Sequence, residues 1–330
     1  MRVISPSSRV GIGADLDSRT GRLIAPRLPT AASPLGIKSL PPDADCIVLQ
    51  RVSLANLAAA VPMIRAQGVA VVVDMDDDLT KIDPANPAFY GLRADSGDRR
   101  HNWRNAHDAA LAATLVTVST PELLRVYAPR GNGIVLENRI PASYLDVVSP
   151  DSDTFGWPGS VHSHPRDLQQ VGPAVARLVR EGFEYRGVGP ADGLKMALGL
   201  PDEPQTTGTV SMEVYPHEIG QLGVGMAPLA DTLFNAAKSW LKPLEMMACG
   251  TPWVASPRRE YARLHEHTGV GLLARTPNDW YRHLKRLLTD KELRLDQAER
   301  GRAAAAERTI EGGAWRWLEA WERAVNLQRS

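Results

Sequence analysis

The side chains best suited to chemistry gather between residues 226 and 256. Asp231, Thr232, Asn235, Lys238 and Ser239 fall in a polar stretch, and Lys242 and Glu245 open the apolar segment that follows. An apolar run ending at Pro228 reads as a strand and residues 242–249 as a short helix. Gly250 stands where a helix often stops, and residues 252–256 read as the next strand. A strand–loop–helix–strand unit of this kind brings two lysines and a glutamate to a helix N-terminus. Open backbone N–H groups and the helix dipole favour a phosphate-bearing ligand there. Blander readings exist for each residue. Lys242 and Glu245, one turn apart, suit a surface ion pair worth about 0.3–0.5 kcal/mol. Asn235 and Ser239 suit closure of the loop through side-chain–backbone bonds.

A second group, Asp74, Asp76, Asp77 and Asp78, follows the apolar run 69–73, at the carboxyl end of a predicted strand where α/β proteins place ligands. Adjacent carboxylates repel one another, so something must compensate them. Three readings stay open: a metal held by Asp-x-Asp, a hydroxyl-rich acceptor, or a loop with local caps and Arg or Lys partners. His162 and His164 lie near Asp167, but no third and fourth ligand for zinc is evident, and Asp167 suits a helix cap. Gly159 and Ser160 suit a tight turn that lets a ligand approach the backbone closely, and residues 211–215 follow a predicted strand at 208–212 and suit backbone contact with a ligand. Gly11 and Gly13 do not complete a Gly-x-Gly-x-x-Gly fingerprint.

These groups need a scaffold, and apolar runs alternating with helical periodicity supply one. Strands are expected at 46–50, 69–73, 115–118 and 134–138, with helices at 54–67 and 102–113. A helix begins after Ser119, with Pro121 in its first turn and Glu122 three residues on. Residues 84–97 look irregular, and the prolines between 26 and 42 leave the first segment, including possible strands at 2–5 and 9–13, unassigned. After a Pro-, Ser- and Asp-rich linker at 141–154 the alternation restarts. Strands are expected at 155–157, 183–188, 208–212, 222–226 and 271–274, and helices at 167–180, 278–288 and 292–308. The last segment, 314–327, places Trp317, Trp321 and Val325 at helical spacing, as packing anchors. The expected domains are 1–145, 146–308 and a closing helix at 309–330.

The chain has 330 residues, enough for about two domains. Thirty-eight basic residues balance 38 acidic ones, so no global field draws nucleic acid or membrane. Two cysteines, Cys46 and Cys249, lie far apart beside apolar runs and read as buried free thiols. No signal peptide or membrane-length apolar run is seen, which leads to the expectation of a cytoplasmic protein.

The order Pro228, Leu229, Asp231, Thr232, Phe234, Asn235, Lys238, Ser239, Leu241, Lys242, Leu244, Glu245, Ala248, Gly250 and Pro252 resembles the donor-site segment of retaining GT-B glycosyltransferases. The similarity is to the family 4-like group common in bacteria and bacteriophages. Phe155, Trp157, Gly159, Ser160, His164 and Asp167 resemble the first strand–loop–helix of that family's C-terminal domain. Asp74 to Leu79 and Val116 to Leu123 resemble parts of its N-terminal domain.

The resemblance implies two Rossmann-like domains facing a cleft, with a C-terminal helix crossing back to the N-terminal domain. It implies a nucleotide-diphosphate sugar, UDP- or GDP-linked, held by Gly159, Ser160, His164, Asn235, Lys238, Ser239, Lys242 and Glu245. Glu245 stands where the family binds ribose hydroxyls. An acceptor would lie near Asp74, Asp77 and Asp78, with Asp76 and Lys238 as the catalytic candidates. No tightly bound cofactor and no metal are expected, and a protein or small molecule is favoured over DNA as acceptor. The chain departs from the family at Ala237, where its first glutamate would fall, and lacks the arginine–lysine pair after the first C-terminal strand. Lys238 and Lys242 are expected to supply that charge. The missing glutamate also motivates an inactive sugar-nucleotide-binding module, and phage DNA bases remain an alternative acceptor.

Overall fold

Buried apolar strands alternating with helices build two parallel sheets in a computed structural model that describes residues 3–4, 44–93 and 102–330. Gly11, Gly13 and the prolines between 26 and 42 lie outside the described residues. The chain divides into two compact units, Met1–Asn138 with Gly313–Ser330, and Arg139–Gly312.

The first unit carries β1 (Val3–Ile4), β2 (Cys46–Gln50), β3 (Ala70–Met75), β4 (Leu115–Val118) and β5 (Gly133–Val135), adjacent in that order and all parallel. Strand β3 is buried along its whole length, as a strand built on three successive valines inside a parallel sheet should be. The next strand leads into helix Pro121–Tyr127, whose N-cap is Thr120 rather than Ser119: the Thr120 hydroxyl accepts from Leu123 N at 3.3 Å. Part of the stretch expected to be irregular is helical, over Ala88–Arg93. The closing helix, Trp315–Arg329, returns to this unit and buries Trp317, Trp321 and Val325 against Cys46, Val48, Val72 and Leu115. Gln328 fastens its end, accepting from Arg65 Nε at 3.0 Å and Thr114 Oγ1 at 2.9 Å.

The second unit carries β6 (Phe155–Pro158), β7 (Tyr185–Val188), β8 (Gln205–Thr206), β9 (Val224–Ala227), β10 (Trp253–Ala255) and β11 (Leu272–Leu273). Their spatial order is β11-β10-β9-β6-β7-β8, all parallel. The chain therefore winds outward from β6 to β8 and then crosses to the other side of β6. This reversal leaves a crevice outside the carboxyl ends of β6 and β9, the position where open α/β sheets bind ligands.

Three expectations for this unit are corrected. The strand expected at 208–212 is absent. Gly208 takes φ 66°, and a turn at 212–214 leads straight into helix Tyr215–Gly220, while Gln205–Thr206 takes the sheet edge. The helix expected at 167–180 is broken into a 3-10 turn, Asp167–Gln170, and helix Gly172–Arg180. Pro173, which lacks an N–H, sits in the first turn of the second piece. The loop at 231–239 contains a one-turn helix, Leu233–Ala236, because the Thr232 hydroxyl accepts from Asn235 N at 3.1 Å. Among the described residues no helix is long and apolar enough to cross a membrane.

Candidate functional site

Strand β6 ends at Pro158, which has no N–H to extend the ladder. Gly159 N takes over and donates to Val188 O at 3.0 Å. The chain then folds back on itself, with Ser163 N and His164 N both donating to Ser160 O at 3.1 Å. That turn carries His164 Nδ1 to 2.7 Å from Asp167 Oδ2. On the other side of the crevice the chain leaves β9 through Pro228. Here Ala230 N donates to Asp167 Oδ1 at 2.8 Å and Asn235 Nδ2 donates to the same oxygen at 2.7 Å. One buried carboxylate thus ties together the two loops that flank the switch point.

Charge at this hub follows from burial and neighbours. Burial pushes the Asp167 carboxyl up. The His164 hydrogen bond, the Ala230 N–H and Asn235 outweigh it and hold the group below its ordinary value, so it is ionised. Burial lowers His164, and the ammonium groups of Lys242 and Lys238 lower it further, against the pull of Asp167. The imidazole is therefore neutral, with the proton on Nδ1 and a lone pair on Nε2.

The two lysines are placed differently. Lys242 is buried on helix Leu241–Ala248, its Nζ donating to Pro158 O and standing 5.6 Å from the centre of the Trp157 ring. Lys238 is half-buried, its Nζ 4.4 Å above the Phe234 ring. Ser239 is half-buried beside it. Glu245 is fully buried, and the Tyr215 hydroxyl donates to its Oε2 at 3.4 Å. Tyr215 belongs to the stretch 211–215 that the sequence offers for backbone contact with a ligand, and its side chain reaches Glu245.

Glycine at 159 has a packing cause. A Cβ there would lie 2.5 Å from the Trp157 ring, and one at Gly189, where φ is 143°, would lie 2.3 Å from Gly159 O. The indole of Trp157 forms a floor beneath the turn and meets the His164 ring edge-on at 5.9 Å.

The aspartates form a separate cluster in the first unit, each with a local partner. Asp74 is buried and accepts from Thr117 Oγ1 at 2.6 Å. Asp78, pushed up by burial, accepts from Thr80 Oγ1 at 2.6 Å and Thr80 N at 3.0 Å. Arg51 spans the other two. Its Nε lies 2.9 Å from Asp76 Oδ1, an ion pair without hydrogen-bond alignment, and its Nη2 donates to Asp77. Arg51 holds a left-handed backbone, φ 48°, costing about 1–2 kcal/mol, and its N–H closes on Asp74 O at 2.9 Å. Among the described residues no group of three or more His, Cys, Asp or Glu is placed to hold a metal ion.

A hollow of about 280 Å³ at the opposite, amino end of the second sheet is lined by Asp151, Gly223, Gly250, Arg294 and Arg302. Its arginines are spent on carbonyl groups. Arg302 donates to Leu145 O, Val147 O and Cys249 O, and Arg294 to Leu287 O, Leu288 O and Asp151. These two arginines cap the carbonyl ends of helices, and Asp151 pairs with Arg294, rather than offering cations to a ligand.

Sequence reasoning grouped Gly159, Ser160, His164, Asn235, Lys238, Ser239, Lys242 and Glu245 around one ligand; the fold carries Gly159, Ser160 and His164 on the turn after β6, Asn235, Lys238 and Ser239 on the segment after β9, and Lys242 and Glu245 on the helix that follows. It missed Asp167 as the hub, Trp157 as the floor and Tyr215 as the cover of Glu245. The spacing of His164 and Asp167 was the only available signal, since the bonds to Ala230 and Asn235 cross 63 and 68 residues.

Residues 226–313, which carry Lys238, Lys242 and Glu245, match the family described as Glycosyl transferase-like. No curated protein matches the chain in sequence. Among solved structures, HepE of Anabaena in complex with UDP is similar at a TM-score of 0.61, with 17% identity over 84% of this chain and 78% of that one. HepE has also been solved with UDP-glucose. Sucrose-phosphate synthase of Thermosynechococcus elongatus gives 0.60, with 15% identity over 84% of this chain and 73% of that one. The trehalose-6-phosphate phosphatase N-terminal domain of Candida albicans gives 0.59, with 11% identity over 87% and 73%. The fold is therefore mixed α/β, built from two Rossmann-like units of the GT-B type.

Proposed function

We propose that this chain is a glycosyltransferase that takes a sugar from a nucleoside diphosphate donor bound at the carboxyl ends of β6 and β9. The observation that carries this reading is the meeting of Lys238, Lys242 and His164 around the switch point, the two lysines within the segment that matches the Glycosyl transferase-like family and Glu245 one turn beyond Lys242 on the same helix. Cations at this point stabilise the negative charge that develops on the departing diphosphate. Lys238 acts directly. Lys242, turned onto Pro158 O, adds its field from below and stiffens the end of β6. Glu245 accepts from the ribose hydroxyls, and the weak 3.4 Å bond from Tyr215 is the one they replace. Glu245→Gln should weaken donor binding by about tenfold or more, the cost of one charge-assisted hydrogen bond.

The resemblance to retaining enzymes supports transfer with retention and without a metal, the diphosphate itself taking the acceptor's proton. A protein or small-molecule acceptor fits the balanced charge of the chain. Asp76 and Asp77, held by Arg51, are the candidate acceptor contacts, with Asp74 and Asp78 shaping the loop. HepE binds UDP and UDP-glucose, which makes UDP-glucose the first donor to try.

A second reading, a sugar-nucleotide-binding module without turnover, is favoured by buried Ala237 at the position where the resembled family carries a glutamate. Thermal unfolding with UDP, GDP, UDP-glucose and GDP-mannose tests both readings. A ligand at 100 times its Kd adds about 2.7 kcal/mol. Stabilisation by at least one compound is expected, and a flat response to all four contradicts the site. Release of nucleoside diphosphate over time then separates enzyme from module.

A further inference from the structure

We propose that His164 is a proton-linked ligand of the donor's diphosphate: the donor binds together with one proton, which enters at Nε2 while Asp167 keeps Nδ1–H. The inference rests on the donor-site reading given above.

The geometry has three parts. First, Nδ1 is committed, 2.7 Å from an Asp167 carboxylate that is itself fixed by Ala230 N and Asn235 Nδ2. The ring cannot turn over without breaking that bond, so Nε2 is the nitrogen left for a ligand. Among the described residues nothing hydrogen-bonds Nε2, and the side chain is 18% exposed. Second, the ring sits at the carboxyl end of β6, edge-on to Trp157, on the turn that the diphosphate would meet. Third, the charges around it are unequal. Lys242 faces it from helix Leu241–Ala248, Lys238 from the turn before that helix, and Asp167 from its own loop. On the β9 side Arg258 is paired with Asp231 at 2.7 Å, and Glu245 lies under Tyr215.

Two ammonium groups and one carboxylate leave a single net positive charge beside a neutral imidazole. A diphosphodiester brings two negative charges. Its oxygens present lone pairs, as Nε2 does, so contact between them is repulsive until a proton lies between. A proton from solvent on Nε2 turns the repulsion into a charge-assisted hydrogen bond and balances the local charge. Burial is the larger cause of the neutral ring and the two lysines add to it; the phosphates screen the lysines and set a counter-charge beside Nε2, so the anion favours protonation.

The test is isothermal titration of UDP-glucose and, separately, GDP-mannose into the full-length protein at neutral pH, in PIPES and in Tris. Both sugars are diphosphodiesters with no titrating group from about pH 5 to 8, so a proton taken up at His164 is drawn from the buffer. The expected result is an apparent enthalpy that rises with the buffer's ionisation enthalpy, to a slope approaching one proton bound. Affinity should also fall up to about tenfold per pH unit above neutrality. His164→Gln, which keeps a donor toward Asp167, should bind more weakly and without buffer dependence. Binding by the wild type with equal enthalpy in both buffers would overturn the inference and leave the donor site standing. A slope that survives in H164Q would overturn it too. Should H164Q not fold, the wild-type buffer and pH dependence decide alone. No heat from either sugar nucleotide would overturn the donor-site reading, and this inference with it.

Discussion

Replacing Asp167 with alanine removes a buried, ionised carboxylate that accepts three hydrogen bonds at 2.7–2.8 Å. A hydrogen bond to a charged group is worth about 1.5–3 kcal/mol, and a buried donor left without a partner costs about 1–3 kcal/mol. The three bonds are not independent. Asn235 Nδ2 retains Ala230 O at 3.1 Å, while Ala230 N loses its acceptor. Removal of one member of such a network costs about 3–5 kcal/mol. In a domain of this size that lowers the unfolding temperature by roughly 10 °C. Calorimetry should show the transition of the second unit shifted by that amount and the first unchanged. Asp167→Asn keeps an oxygen for Ala230 N and Asn235, and its amide can donate to Nδ1 if His164 changes tautomer, so about half the loss is expected. The acid limb gives an independent check. The folded-state pKa of Asp167 lies below 3.8, so its stabilisation is present above that value and is lost as pH falls through the folded value. D167N should flatten that part of the profile. A D167A protein within about 1 kcal/mol of the wild type, or D167N as damaged as D167A, would refute the hub.

Other expectations follow from the same geometry. His164 is depressed below 6.5 in the fold, so its contribution is present above 6.5 and is lost as pH falls through the depressed value. H164Q should therefore lose less stability than the wild type on acidification below 6.5, read by urea melts across pH. Gly189→Ala would place a Cβ 2.3 Å from Gly159 O at a φ of 143°; a loss of about 2–3 kcal/mol is expected by denaturant titration, together with weaker UDP-glucose binding as the ends of β6 and β7 part. Trp321→Ala empties part of the cluster on β2 and should cost about 3–5 kcal/mol, seen as a calorimetric shift confined to the first unit.

Much of the architecture was legible because it depends on local pattern. The β-branched run of β3 and the spacing of Trp317, Trp321 and Val325 each report burial directly. The helix over 167–180 was misjudged because periodicity ran through Pro173, while the missing N–H split the segment. The strand at 208–212 was misjudged because composition does not report the positive φ of Gly208 or the turn that follows. At the site, residue types picked out Lys238 and Lys242, but side-chain direction was out of reach. Lys242 turns onto Pro158 O, and Asp167 reaches across to β9, because strand order brings those loops together. The aspartate run was read with three outcomes open. Arg51, more than twenty residues upstream, supplies the local compensation for two of its members, and only the parallel pairing of β2 with β3 puts it there.

Binding of a nucleotide sugar at the carboxyl ends of β6 and β9 underlies every functional statement above. Hydrogen–deuterium exchange with saturating UDP-glucose tests it most directly. Slowed exchange is expected in residues 159–167 and 230–245, with little change in 149–152 and 294–302 around the hollow at the other end of the sheet. Protection centred on that hollow, or none in either loop at a concentration that stabilises the protein, would contradict it.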